Sequence, residues 1–105
     1  MPAIDRLRNI VMNGSGFNTL GGKSKFTVEN INNHLIITNS SGKKFKVTDD
    51  LAEAVLSRYE SSPITVRNKT SNYTDPGWRD CPNRIVSPYV ARIFSEELFI
   101  NKPLQ

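Results

Sequence analysis

The chain has 105 residues, of which 37% are hydrophobic and 23% charged, with six Gly and six Pro. That is one domain's worth of protein, and the composition excludes a disordered or fibrous polymer. A single Cys and a single His exclude a disulfide framework or a zinc site built within one chain. No apolar run approaches the ~18 residues of a membrane span. The first residues lack the apolar stretch of a secretory leader. The expectation is one soluble, cytoplasmic domain over residues 1–105 that has no membrane partner.

The formal charge of +4 is unevenly spread. Residues 1–48 hold seven basic and two acidic side chains, whereas residues 49–61 hold four acidic and one basic. Basic clusters raise the local concentration of phosphate-bearing partners, so the first half of the chain points to polyanions.

In chain order, Ile4, Leu7, Ile10 and Val11 share one face of a helix that stops at Asn13-Gly14. Four glycines between residues 13 and 24 predict a loop. Phe26 and Val28 alternate with Thr27 and Glu29 in a strand over residues 25–31. Asn32-Asn33 is a two-residue reversal, because Asn tolerates the left-handed region. A second strand covers His34–Thr38, and Asn39-Ser40-Ser41-Gly42 turns the chain again. Phe45 and Val47 alternate with Lys44 and Lys46 in a third strand over residues 43–48.

Thr48-Asp49-Asp50 opens a second helix, with Asp50 and Glu53 at the spacing of a capping box. Leu51, Val55 and Tyr59 lie on its apolar face. Ile64-Thr65-Val66-Arg67 alternates as a short strand whose Ile64 and Val66 face inward. Residues 68–84 have neither period and predict a loop longer than compact domains usually carry. Ser87 as N-cap and Pro88 at the first turn open a last helix with Val90, Ile93, Phe94 and Leu98 as its stripe.

The expected fold is therefore α+β: a small single domain in the order α-β-β-β-α-β-α, its antiparallel sheet covered by helices on one face. Gly16, Gly22, Lys23 and Ser24 stand in the order of a phosphate loop. Five residues separate the glycines where four are required, and a helix precedes the loop where a strand should. Cys81 and His34 lack evident catalytic partners. No enzyme, metal or cofactor is expected.

The residues singled out for function are the basic strand face and the aromatic loop. Lys23, Lys25, Lys43, Lys44 and Lys46 supply point charges for phosphates. Arg67, Tyr73, Trp78, Arg79 and Arg84 supply stacking surfaces and forked donors of the kind single-stranded nucleic acid uses. The reading is a small non-catalytic nucleic-acid-binding module. Its alternative is a protein-interaction or homodimeric module that associates through Phe99, Ile100 and Leu104.

Overall fold

The computed structural model describes residues 2–11 and 16–101, with side chains through residue 96. The elements run α1 (Ala3–Val11), β1 (Gly16–Asn18), β2 (Lys25–Ile31), β3 (His34–Thr38), β4 (Lys44–Val47), α2 (Asp49–Ser61), α3 (Ile64–Arg67), α4 (Thr70–Thr74) and α5 (Ser87–Asn101). The four strands form one antiparallel sheet in the order β1-β2-β3-β4. The fold is α+β, and the helices cover one face of the sheet.

Local chemistry sets the meander. Asn32 and Asn33 both adopt positive φ, 52° and 67°, the conformation that a two-residue hairpin with the correct twist demands. Between β3 and β4, Asn39 Oδ1 accepts from the amides of Ser41 and Lys43, and Gly42 takes the left-handed position at φ 83°. Period-two alternation then sends Phe26, Val28, Leu35, Ile37 and Val47 into the core, with Phe45 half-buried at its rim.

The helices close over that face. α5 packs against α1, α2 and α4 and touches β1. Its Tyr89 meets Phe26 edge-on at 4.9 Å and lies over Phe45 at 6.3 Å, while Phe17 of β1 stacks on Phe26 at 5.5 Å. Val90, Ala91, Ile93 and Phe94 are buried. Thr48 caps α2, its side chain accepting from the Leu51 amide, whereas Asp50, expected to form a capping box with Glu53, lies inside the first turn. Glu53 does not complete that cap. Its Oε1 accepts from the Ala3 amide at 2.8 Å and so tethers the start of α1 to α2.

Three elements depart from the sequence expectation. Gly16–Asn18 is a strand inside the expected loop, because Phe17 finds a partner in Phe26 and drops into the core. Ile64–Arg67 is a helical turn and not a strand. Pro63 presets the turn geometry, its carbonyl accepts from the amides of Val66 and Arg67, and Ile64 is left 80% exposed. Thr70–Thr74 forms the short α4 within the segment expected to be irregular. Leu104 lies outside the described residues, as do the side chains of Leu98, Phe99 and Ile100.

These placements predict opposite outcomes for two apolar truncations. Phe26→Ala should cost about 3–5 kcal/mol in urea unfolding, as large-to-small changes of buried rings do. Ile64→Ala should stay within about 0.5 kcal/mol, the surface value. A cost near that of Phe26 would restore the inward-facing strand.

Candidate polyanion-binding face

Each strand of a sheet presents alternate residues to its two faces, so register decides which side chains meet. Thr27 lies opposite Thr38, and Thr38 opposite Lys44. One row along, Glu29 lies opposite Ile36, and Ile36 opposite Lys46. Lys25 pairs with Asn18 at the other end of β2. These residues share the face that no helix covers, and Lys25, Lys44 and Lys46 are exposed on it. With a strand rise of about 3.3 Å, Lys44 and Lys46 project roughly 7 Å apart. A shallow groove of about 510 Å³ runs beside them, lined by Ile31, His34, Ile36 and Phe45 as well as the two lysines.

Lys43 belongs to the opposite side. It shares the parity of Phe45, and its Nζ sits 5.7 Å from the centre of that ring, at the rim of the core. Lys23 follows Gly22 in the β1–β2 loop and lines a separate cavity together with Arg84. The five lysines are therefore divided three to the outer face, one to the core rim and one to that cavity.

The arginines and aromatics of residues 62–86 do a different job. Tyr73 is 0% exposed and Trp78 8% exposed, their rings in edge contact at 6.2 Å. Neither offers a face on which a base can stack, which corrects the expectation of a stacking loop. Its physical reason is the shortage of regular structure around them: two large rings anchor a segment that no strand or long helix holds.

Arg67 donates from Nε to the Tyr59 carbonyl at 2.9 Å and from Nη2 to that of Ser62 at 3.1 Å, and its guanidinium lies over the Tyr59 ring. It thereby adds a donor at the end of α2, where the Tyr59 carbonyl also accepts from the amide of the C-cap residue Ser62. Arg84 donates to the carbonyls of Asp75, Pro76 and Trp78, the last at 2.7 Å. Arg79 alone of the three is exposed with no such contact among the described residues.

Sequence reasoning missed Arg58 and Asn83. Arg58 donates to the Asn72 carbonyl, pairs with Asp75 at 3.7 Å and covers the Trp78 ring at 5.4 Å. Asn83 Oδ1 accepts from the amides of Ile85 and Val86 and so opens the turn that leads into α5, ahead of Ser87. The Ser87 hydroxyl is buried beneath that turn, donating to the Asn83 carbonyl at 2.6 Å. Its oxygen lies 3.2 Å from Cys81 Sγ, while His34 lies on the outer sheet face. Among the described residues, no group of three or more His, Cys, Asp and Glu is placed to hold a metal. No helix there is long and apolar enough to cross a membrane. No family model, curated protein or solved structure matches the chain.

Burial pushes the Tyr73 hydroxyl up to about 12, despite the nearby Arg67 and Arg58 cations, and raises Tyr59 in the same direction. The folded pKa exceeds the unfolded one, so the protonated ring stabilises the fold fully below pH ~10, and that contribution is lost as pH rises towards ~12. Tyr73 donates from its hydroxyl to the Arg67 carbonyl at 2.5 Å. Between pH 9.5 and 12 the wild-type protein should lose roughly 1–3 kcal/mol through this group. Tyr73→Phe should be weaker at pH 7 by about 1 kcal/mol, yet flatter across the alkaline range. Equal alkaline slopes for the two proteins would remove Tyr73 from the core network.

Proposed function

We propose that this protein is a non-catalytic binding module that engages nucleic-acid backbone through the outer face of its sheet. The supporting observation is the charge pattern of that face: Lys25, Lys44 and Lys46 stand on it exposed, with Glu29 as the single carboxylate among them. Thr27 and Thr38 add hydroxyl donors between the cations. Lysine ammonium groups neutralise phosphates as point charges and read no bases. The rows carry no Phe, Tyr or Trp, and their one ring is the His34 imidazole at the start of β3, so binding is chiefly to phosphate and sugar and is indifferent to sequence. Lys43 joins from the rim when the strand wraps past the β3–β4 turn.

Three to four neutralised phosphates correspond to a slope of about −2.7 to −3.6 in log affinity against log salt on duplex DNA. Lys44→Gln with Lys46→Gln should make that slope shallower by about 1.8, equally for unrelated sequences. Unfolding should shift by no more than about 0.5 kcal/mol per site, because both side chains project into solvent. Fluorescence anisotropy with mixed-sequence oligonucleotides from 20 to 200 mM salt reads the effect. Absence of binding at low salt, or a double variant indistinguishable from wild type, would overturn the reading.

A further inference from the structure

A second concavity, of about 540 Å³, lies where the β1–β2 loop, α4 and the start of α5 meet. Its walls are Leu20, Ile85, Pro88 and Tyr89, and Lys23 and Arg84 also line it. No Asp or Glu is among the lining residues. That volume and that mixture of apolar wall with a few polar groups fall within the range of small-molecule sites, ~300–1,000 Å³.

The site is held from behind. Tyr89 is fixed by the rings of Phe26 and Phe45. Arg84 is pinned by three backbone carbonyls through Nε and Nη2, which leaves Nη1 over and keeps the charge stationary. Neither Arg84 nor Lys23 has an ion-pair partner among the described residues. Ile85 is 65% exposed, held there by the hydrogen bond from its amide to Asn83 Oδ1. A large apolar side chain kept in water beside an apolar wall gains burial when something seats against it.

We infer that this cavity binds a small aryl carboxylate, its ring against Leu20, Ile85, Pro88 and Tyr89 and its carboxylate between Lys23 and Arg84. Charge complementarity selects the anion, and Nη1 of Arg84, the nitrogen its three carbonyl contacts leave over, is the guanidinium donor available to it beside the Lys23 ammonium. The assignment shares no residue with the sheet face used for nucleic acid and does not depend on it.

The test is a titration of the full chain, followed by amide ¹H–¹⁵N shifts, with 1-naphthoate and with its neutral counterpart 1-naphthalenemethanol. A ligand of this size should bind with Kd of about 0.1–3 mM. Shifts should centre on residues 20–23, Thr74, 85–87 and Tyr89, and the alcohol should bind about 5-fold more weakly or worse. Lys23→Gln should weaken naphthoate about 3–10-fold and leave the alcohol unchanged. Ile85→Ser, at an exposed position, should keep the fold and weaken both. Lys44→Gln with Lys46→Gln should alter neither. Shifts absent at 10 mM, shifts centred elsewhere, equal affinity for acid and alcohol, or insensitivity to Lys23→Gln would each overturn the assignment.

Discussion

The contact on which the architecture turns is the aromatic seam between α5 and the sheet. Phe17, Phe26 and Phe45 come from three strands, and Tyr89 of α5 touches two of them directly. Buried aromatic side chains each remove about 150–250 Å² from water, several kcal/mol apiece at the usual transfer coefficient. A four-stranded sheet this small cannot bury both of its faces with the apolar residues available. Once α5 and its neighbours have taken the face bearing Phe26, Leu35 and Ile37, the other remains in solvent by exclusion. The lysines of β4 follow from that division, since alternation admits Phe45 and Val47 inward only by turning Lys44 and Lys46 outward.

A parallel division separates the two kinds of basic residue. Between α2 and α5 the chain runs through turns and two helices of four and five residues, so many carbonyls have no ladder to join. Arg58, Arg67 and Arg84 supply donors to these carbonyls, and two of the three also cover an aromatic ring. Hydrogen bonds to charged groups are worth about 1.5–3 kcal/mol each, more than a neutral pair contributes. A guanidinium can donate to several carbonyls at once, which an ammonium on a flexible stem does less well. Arginine therefore holds the irregular segment together, whereas Lys25, Lys44 and Lys46 of β2 and β4 are left to solvent.

The meander was legible because its signals are local. The Asn-Asn reversal, the Asn39 turn, the alternation of β2 and β4 and the Thr48 cap each act within a few residues. β1 was not legible, since three residues beside several glycines carry no period and Phe17 owes its place to Phe26, nine positions away. Ile64–Arg67 alternates as a strand would, but no sheet edge receives it, and Pro63 with Arg67 turns it back against α2. The same distinction holds for function. The parity of Lys44 and Lys46 was readable from the sequence. The burial of Tyr73 and Trp78 was not, because it rests on Arg58 and on packing across the fold.

The position of the lysines carries one more consequence. β4 is an edge of the sheet, and an edge offers unpaired backbone groups to any other strand. Two exposed ammonium groups on a four-residue edge strand disfavour such pairing through charge and through the desolvation it would demand. A phosphate backbone makes the opposite demand, since it approaches the side-chain tips and leaves the strand edge hydrated. The row Glu29–Ile36–Lys46 sharpens this discrimination. Its two charges sit two strands apart, roughly 10 Å between backbones. At that separation Glu29 tempers the field of Lys46 without capturing the ammonium in a pair. The face thus disfavours a second β-strand through the same two side chains that the proposed reading gives to phosphate.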